Sequence, residues 1–531
     1  MTAIRVAPGV SRSVERKSAR LLTWPVMLAI VGALGAAMGV AALDGAPVGV
    51  FHDDAIYVIL GRALATGQGY RYLNLPGTPA AIHYPPGYPA LLAMLWTIAP
   101  AFPANLLLFK AANVALLAVG AVLTARLART LLENDAAAAS VGLLSAASVP
   151  ILTLGSMVLS EPLFLALLIA LLMVAERLVC SGSARMALGL GAGIGVLALV
   201  RTHGAVLAPA AVLVLLVRRR WRDAGLVAGG AAVVLLPWQL WSAAHGSDVP
   251  PALQGVYGSY AGWLAAGVRS EGPSFVLDTA RHTVGDLAQL FAALFSPVRA
   301  PLAHAVTLVA LGTLSSFGVR ALARRAPVTL LFAAAYLAVT IAWPFPPARF
   351  VWAIWPVVLL LLAAGAAHAW RCRASTTTAA RVACGVALAC ATWLAIGYSL
   401  YEVRAIRGAW WGSVARAERR RIEPAIEWTL ARTSPSDVIA SEDDGALFLY
   451  TGRRTVPVLS ASPLRYLHPI PTEADARDGL GPILHQYHPA VVLVGSDVPL
   501  AVATLFTVPP MPRLQLREQF RGGAAFTVIA P

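Results

Sequence analysis

The stretch Phe51-His52-Asp53-Asp54-Ala55-Ile56-Tyr57 is the first polar sequence after the first long apolar run of the chain. Its two adjacent carboxylates open a short amphipathic segment that ends near Gly67, and the next apolar stretch begins with residues 83–89, HYPPGYP. The preceding run, Leu21–Leu43, has the length of about 20 residues that a helix needs to cross a bilayer. We therefore expect a polar site at a membrane surface, on the side that the first helix reaches.

The composition indicates an integral membrane protein. The chain has 531 residues, of which 58% are hydrophobic and 13% charged, whereas soluble domains carry roughly 25% charged residues. A formal net charge of +15 could suggest a nucleic-acid partner, but most of the arginines lie between apolar runs. Arginine in that position sets membrane topology, so we expect no nucleic-acid partner.

Apolar runs of near-span length recur along the chain and predict about eleven spans. Arg5, Arg12, Arg16, Lys17 and Arg20 precede the first run, which places the N-terminus in the cytoplasm. That run is too long for the core of a signal peptide. The predicted spans are Leu21–Leu43, Leu106–Leu127, Ala136–Ser156, Pro162–Val179, Met186–Val200, Ala205–Val217, Ala224–Trp241, Leu302–Gly318, Pro327–Trp343, Phe350–Trp370 and Arg381–Leu400.

The segment Pro86–Phe102 decides the topology of everything after it. It has only about 17 residues and several prolines, which is marginal for a span. Treating it as an interfacial helix leaves Arg126 and Arg129 on the cytoplasmic side, as the charge bias prefers. Residues 44–105 then form the first external loop, and an odd number of spans leaves the C-terminus outside.

The composition changes near Glu402, where charge rises and long apolar runs stop. Short β-branched stretches follow, and they alternate with helical patterns at Ile422–Arg432 and Leu500–Phe506, which predicts a small α/β domain. The predicted strands lie at Asp437–Ser441, Arg454–Leu459, Ala490–Gly495 and Ala525–Ala530. We thus expect a mainly α, polytopic transmembrane helix bundle over residues 1–401 and an extracytoplasmic α/β domain over 402–531.

No motif of a soluble enzyme is present: the sequence has no phosphate-binding loop, zinc-ligand spacing or Gly-x-Ser-x-Gly. The glycines between Gly189 and Gly195 lie within one predicted span and follow no strand, so they do not indicate a nucleotide fold. Small residues in a span predict close contact between helices.

Polar residues at the external ends of the predicted spans are the candidate site. Asp53 and Asp54 open the first loop, and the others are Glu161, Arg201, His203 and Arg349. Each also has a simpler explanation. A carboxylate of the pair can cap a helix, Glu161 can stabilise a helix start, Arg201 and His203 can mark a turn, and Arg349 can anchor a span at the interface. Adjacent residues on a helix point in different directions, so one carboxylate can cap while the other faces a pocket.

The first loop resembles that of the GT-C superfamily of membrane glycosyltransferases, which includes protein O-mannosyltransferases and the aminoarabinose transferases of lipid A. In that loop an acidic pair is followed, three residues after its second member, by Tyr, and an aromatic-Pro-Pro segment closes the loop. Here these are Asp53-Asp54-Ala55-Ile56-Tyr57 and Tyr84-Pro85-Pro86, with Asp54 where relatives often have Glu. Weaker resemblances are at Ser160-Glu161-Pro162, Arg201, Arg349-Phe350 and the segment 449–453.

The resemblance implies a hexosyl or pentosyl transferase of the cell envelope, in the plasma membrane, that takes its sugar from a polyprenyl-phosphate donor outside the cytoplasm. An inverting transfer needs a carboxylate that accepts the proton of the acceptor, and we assign this role to Asp53. Arg201 and Arg349 are candidates for gripping the phosphate. The other expected substrate-binding residues are Asp54, Tyr57, His83, Tyr84, Glu161 and His203. No cofactor is certain; Asp54 and Glu161 are candidate ligands of a divalent cation.

The expected partners are the lipid-linked donor, membrane lipids and an extracytoplasmic acceptor, which could be a lipid, a glycan or a protein. A polysaccharide polymerase or ligase shares the donor and compartment and stays open as an alternative. A lipid-linked sugar transporter is another, but it would place ionisable groups near the middle of the membrane and often show internal repeats. The acids here cluster at external ends, and no repeat is evident.

Overall fold

The computed structural model describes residues 23–459, 473–508 and 513–529. The basic residues Arg5 to Arg20, on which the predicted cytoplasmic N-terminus depends, lie outside the described residues. The predicted fold class is confirmed: the protein is a bundle of apolar helices followed by a small C-terminal sheet with its own helices.

The helices up to residue 407 are numbered in chain order. They are α1 Trp24–Ala42, α2 Asp53–Ala65, α3 Gly87–Ile98, α4 Leu106–Leu132, α5 Asp135–Ala147, α6 Val149–Gly155, α7 Glu161–Ser181, α8 Ala184–Val200, α9 Leu207–Val217, α10 Trp221–Ala244, α11 Gln254–Tyr257, α12 Tyr260–Glu271, α13 Ser274–Phe295, α14 Pro301–Leu322, α15 Pro327–Ile341, α16 Ala348–Ala353, α17 Trp355–Cys372 and α18 Thr378–Arg407. Short 3₁₀ turns, Thr202–Val206 and Pro251–Leu253, precede α9 and α11.

Seven of these helices are long and apolar enough to cross a membrane, namely α1, α4, α7, α10, α14, α17 and α18. Helices α5 and α6 together form an eighth candidate, bent by 50° at the break between them. Three further predicted spans correspond to the shorter apolar helices α8, α9 and α15. The count of eleven spans therefore remains a prediction. The segment expected at the interface forms α3, which has only 12 residues.

Helix α2 carries the acidic pair and is buried along most of its length. Ile56, Ile59 and Leu60 are fully buried. A Cβ added at Gly61 would come within 2.9 Å of Leu92 in α3, so α2 and α3 pack at close range. The amphipathic segment ends as the sequence predicts, because Thr66 follows the last turn and Gly67 adopts a φ of +71°.

The region between α10 and α14 is more structured than the sequence indicates. No helix or strand is predicted there, because the sequence has neither a long apolar run nor a strand pattern. In the structure it forms α11, α12 and the 22-residue α13. Helices α12 and α13 are amphipathic, so their sequences lack the continuous apolar run by which a span is recognised.

Helix α18 continues to Arg407, past residue 402, where the sequence predicts the start of the C-terminal domain. The elements of this domain are a 3₁₀ turn Trp410–Gly412, α19 Ser413–Arg432, β1 Val438–Ser441, α20 Asp444–Thr451, β2 Arg454–Val456, α21 Glu473–Tyr487, β3 Val491–Val494, α22 Asp497–Leu505, β4 Leu514–Phe520 and β5 Gly523–Val528. The strand order is β2-β1-β3-β5-β4, parallel among β2, β1 and β3 and antiparallel beyond.

All four predicted strands are present as β1, β2, β3 and β5, and the two predicted helical patterns lie in α19 and α22. Strand β4 is absent from the sequence prediction, and its side chains are mostly exposed. An edge strand that is polar on most positions lacks the apolar alternation by which strands are recognised.

The C-terminal domain docks on the segment between α1 and α3. Thr455 of β2 donates its backbone N–H to the carbonyl of Asn74 at 2.9 Å, and the guanidinium of Arg454 donates to the carbonyl of Leu73. Gly445 of α20 approaches Ala55 of α2 so closely that a Cβ there would lie 3.0 Å from the alanine methyl. The domain therefore covers the helix that carries the acidic pair.

Candidate active site

Asp53 is the first residue of α2, and its carboxylate faces a cavity. Oδ1 accepts a hydrogen bond from the hydroxyl of Tyr84 at 2.9 Å. Oδ2 pairs with Nη1 of Arg349 at 3.1 Å, across 296 positions of sequence. The side chain is 28% exposed, so the carboxylate is both held in place and open to a ligand.

Asp54 points the other way, into the protein. Its carboxylate is 1% exposed and accepts backbone N–H groups from Gly49 at 2.9 Å, Val50 at 3.2 Å and Phe51 at 3.1 Å. It thus fixes the loop that leads into α2 and does not line the cavity. The two neighbouring carboxylates have different surroundings, and of the two only Asp53 lines the cavity.

Glu161 joins the two arginines. It is fully buried at the start of α7, and its Oε1 lies 2.9 Å from Nη1 of Arg201 and 2.8 Å from Nη2 of Arg349. Arg201 follows the last residue of α8 and Arg349 lies in α16. One carboxylate thereby holds guanidiniums from two separate elements at the same place, and Arg349 bridges it to Asp53.

The guanidiniums are further held by aromatic rings and by a hydroxyl. The Arg349 guanidinium lies 4.7 Å from the centroid of Phe51, and that of Arg201 lies 5.7 Å from the centroid of Phe350. Such cation–π contacts restrain the guanidinium while leaving its N–H groups available. Arg201 also donates to Oγ of Ser160 at 3.1 Å, and its Nε is buried with no hydrogen-bond partner among the described residues.

The other predicted residues surround this cluster. The hydroxyl of Tyr57 lies 3.3 Å from Oγ of Ser160. His83 donates from Nδ1 to the carbonyl of Gly258 at 2.6 Å, and burial lowers the pKa of His83 to about 4, so its ring is neutral at physiological pH. His203 is buried with its ring 4.8 Å from that of Phe350.

A cavity of about 590 Å³ connects these groups. Seven of the nine predicted residues line it, namely Asp53, Tyr57, His83, Tyr84, Arg201, His203 and Arg349, whereas Asp54 and Glu161 lie behind its wall. The C-terminal domain supplies part of the lining through Val414, Glu442, Pro457, Val458, Leu459 and Pro499. The cavity therefore depends on both parts of the chain.

An aromatic wall of the cavity, formed by Tyr260, Trp263, Trp343 and Phe345, is absent from the sequence prediction. The rings of Trp263 and Phe345 stack with centroids 5.0 Å apart, and Tyr260 lies 3.9 Å from the ring of His83. The sequence does offer a signal for Trp343 and Phe345, because both lie shortly before the candidate residue Arg349. Tyr260 and Trp263 lie on α12, a helix that the sequence analysis does not assign.

A crystal structure of ArnT from Cupriavidus metallidurans bound to undecaprenyl phosphate superposes with a TM-score of 0.52 and 16% identity, over 96% of this chain and 98% of that chain. The apo structure of the same protein gives 0.43 and 16%, over 95% and 97%. The chain has an ArnT-like fold. No protein-family model matches the sequence, and a comparison with curated proteins finds no match either.

The resemblance expected from the first loop is therefore confirmed as a likeness of fold. The long apolar helices and the ArnT-like fold together make this chain a multi-pass membrane protein.

The charges of the site fix the ionisation of Asp53. Burial alone would raise the pKa of this carboxyl group, but the Arg349 guanidinium, the neighbouring His52 and the Tyr84 hydrogen bond hold the pKa below its ordinary value of 3.8. Asp53 is therefore an anion at neutral pH. An anionic carboxylate with one oxygen held by a hydroxyl and the other by a guanidinium can accept a proton once either partner is drawn away.

The two candidate metal ligands already have other partners. Asp54 accepts three backbone N–H groups, and Oε1 of Glu161 is shared between two arginines. Among the described residues no group of three or more His, Cys, Asp or Glu side chains converges as a metal site would require. The cavity thus presents the carboxylates of Asp53 and Glu442 and the guanidiniums of Arg201 and Arg349, and a divalent cation stays a prediction.

Proposed function

We propose that this chain is an inverting membrane glycosyltransferase that moves a sugar from a polyprenyl-phosphate donor to an extracytoplasmic acceptor. The observation that carries the proposal is the convergence of the Asp53 carboxylate with the guanidiniums of Arg201 and Arg349 on one cavity. An ArnT structure of the same fold was solved bound to undecaprenyl phosphate, which supports a lipid phosphate as the donor's carrier.

In the proposed reaction a hydroxyl or amine of the acceptor attacks the anomeric carbon of the sugar. Asp53 takes the proton of that nucleophile as the new bond forms. The bond from the anomeric carbon to the phosphate oxygen breaks, and its electron pair stays on the phosphate. The transition state has oxocarbenium-like character, as in glycosidases. Arg201 and Arg349 stabilise the leaving phosphate by charge, so it leaves without being protonated.

Arg349 links donor binding to the basicity of Asp53. Before the donor binds, Arg349 pairs with both Asp53 and Glu161. A phosphate that engages Arg349 competes for the guanidinium, and the attraction that lowers the pKa of Asp53 then weakens. Since burial acts in the opposite direction, the carboxylate becomes a stronger base in the presence of the donor.

The remaining residues have supporting roles in this proposal. Tyr84 orients the Asp53 carboxylate through its hydroxyl, and Glu161 keeps the two arginines together. Tyr57, His83 and His203 shape the polar part of the cavity. The aromatic wall, with residues such as Trp263 and Trp343, supplies apolar surface for a sugar face or for the first isoprene units of the lipid.

The test is to incubate the purified full-length protein with a panel of polyprenyl-phosphate sugars and a membrane-lipid extract, and to identify products by mass spectrometry. We expect one donor to be consumed, with release of polyprenyl phosphate and a single added sugar on an acceptor. A polymer-length product would identify the polymerase or ligase alternative instead. Movement of an intact donor across vesicles without any product would contradict the proposal and identify a transporter.

A further inference from the structure

His52 precedes the proposed base and has an unusual backbone. Its φ is +61° and ψ is −52°, and the N–H of Asp53 donates to the carbonyl of Phe51 at 2.6 Å. This is a γ-turn of the rare type with positive φ at its central residue. A residue other than glycine adopts such a conformation only when its surroundings enforce it, and such residues cluster at functional sites.

Asp444 of the C-terminal domain fixes the His52 ring. Its Oδ1 lies 2.9 Å from Nε2 of His52, across 392 positions of sequence. The Asp444 side chain is fully buried, and it also accepts the hydroxyl of Tyr257 and the backbone N–H of Gly445 at 2.8 Å. Asn74 in turn donates to the Tyr257 hydroxyl at 2.8 Å. Because an ionised carboxylate only accepts hydrogen bonds, the proton between His52 and Asp444 lies on Nε2 of His52.

The second ring nitrogen is free to meet a ligand. Among the described residues, Nδ1 of His52 has no hydrogen-bond partner. The side chain is 27% exposed and lines the same cavity as Asp53, Arg201 and Arg349. In an imidazolium both nitrogens donate, so a protonated His52 held at Nε2 by Asp444 has one N–H left for a ligand in the cavity.

We propose that His52 is a third phosphate-binding cation of this site and that Asp444 is its positioning residue. The imidazolium donates a hydrogen bond from Nδ1 to a phosphate oxygen of the donor, beside the two guanidiniums. The inference rests on the proposed function. It places a titratable cation in a phosphate site whose other two cations, Arg201 and Arg349, are permanently charged. It also gives the C-terminal domain a part in donor binding.

The electrostatic surroundings favour the charged ring. Burial alone would lower the pKa of His52, but the charge and hydrogen bond of Asp444, with the charges of Asp53 and Asp54, raise it above the ordinary 6.5. The titratable groups that interact with the ring are Asp53, Asp54, His83, Tyr257 and Asp444. The charged residues Arg201, Arg349 and Glu442 line the same cavity. The raised pKa means that the imidazolium persists to higher pH than in a free histidine.

The test measures the equilibrium binding of undecaprenyl phosphate by the full-length protein in detergent, from about pH 6 to about pH 9. The variants are His52→Asn, because Asn tolerates positive φ, and Asp444→Asn. His282→Asn, on the exposed surface of α13, is the matched control. The second ionisation of the phosphate, near 6, affects all variants alike, so the difference between proteins is the readout.

For the wild type we expect affinity to fall about tenfold as the pH rises through the pKa of His52, as for loss of one charge-assisted hydrogen bond. His52→Asn should bind at the wild-type high-pH level throughout the range. Asp444→Asn should fold and move the transition to lower pH. His282→Asn should follow the wild type.

A wild-type transition retained in His52→Asn would overturn the inference. If that variant does not fold, Asp444→Asn carries the test, and an unchanged transition midpoint there would overturn it equally. A wild-type protein that binds no undecaprenyl phosphate at any pH would contradict the proposed function and this inference together, whereas normal wild-type binding with unaltered variants would remove only the inference.

Discussion

At the scale of single residues, Arg349 is the contact on which the site depends. It pairs with Asp53 at 3.1 Å and with Glu161 at 2.8 Å, and it stacks on Phe51. Because it lowers the pKa of Asp53 while burial raises it, its removal should alter the titration of the base as well as the binding of the donor.

We expect Arg349→Gln to raise the Michaelis constant for the donor at least tenfold, as for loss of a charge-assisted hydrogen bond of about 1.5–3 kcal/mol. The acid limb of kcat/KM, which reports the free enzyme, should move to higher pH. In the wild type, Asp53 loses its charge only below its ordinary pKa of 3.8. In the variant, the Arg349 guanidinium no longer opposes burial, which raises the pKa of Asp53. Arg281→Gln, on exposed α13, should behave as wild type; an acid limb that stays in place would contradict this account.

The neighbouring carboxylate should behave differently. Asp54 accepts three backbone N–H groups, and an amide can satisfy them only in part. We expect Asp54→Asn to cost about 2–3 kcal/mol of stability and to lower the thermal unfolding midpoint in detergent. Asp53→Asn should leave that midpoint nearly unchanged. Equal midpoints for the two variants would mean that the loop does not depend on Asp54.

At the scale of elements, the prediction that small residues allow close helix contact is confirmed where α8 meets α10. A Cβ at Gly191 would lie 2.3 Å from the carbonyl oxygen of Val227, and one at Gly230 would lie 2.8 Å from that of Leu188. Nothing lies within 4 Å of a Cβ at Gly189. Since Arg201 follows the last residue of α8, this contact also positions one of the phosphate-binding candidates.

Gly191→Ala should therefore push α8 away from α10, at a cost of about 1–3 kcal/mol for overpacking, and should reduce transfer activity through Arg201. Gly189→Ala is the matched control on the same helix. It should be neutral or slightly stabilising because alanine favours helices. Thermal unfolding followed by tryptophan fluorescence distinguishes the two, and identical midpoints would contradict the close packing.

The sequence predicts elements better where their apolar pattern is long. Spans such as α4 and α7 and the strands β1, β2, β3 and β5 of the C-terminal domain carry that signal. Helix α12 has only 12 residues, most of them exposed, and β4 is polar at most positions, so neither carries that signal. The acidic pair is visible in sequence because its two members are adjacent, but their separation into one structural and one exposed carboxylate depends on the loop at 49–51.

At the scale of the whole molecule, the site is assembled from distant parts of the chain. Arg349 reaches Asp53 across 296 positions and Asp444 reaches His52 across 392. Such pairings are beyond sequence patterns because nothing local specifies them. The residue types of the site could be predicted from the sequence. The docking of the C-terminal domain over α2, and the contribution of α12 to the aromatic wall, are visible only in the folded structure.

The orientation of the molecule in the membrane is a separate prediction. With α3 lying at the interface, a reporter fused after Leu127 should be cytoplasmic and one fused after Ser247 external, because arginines at 126 and 129 then stay inside. Phosphatase and fluorescent-protein fusions read the two compartments in opposite ways, so each serves as the other's control. Exchanged readings would show that α3 crosses the membrane.

The central claim is that Asp53 is the base of the transfer. It is tested most directly by the single-turnover rate of sugar transfer in Asp53→Asn, with donor binding measured on the same sample and Asp278→Asn, exposed on α13, as control. General-base catalysis contributes about 10²–10⁴ in rate. We predict a fall of at least about a hundredfold, with donor binding retained and the control unaffected. Transfer by Asp53→Asn at the wild-type rate would contradict the account.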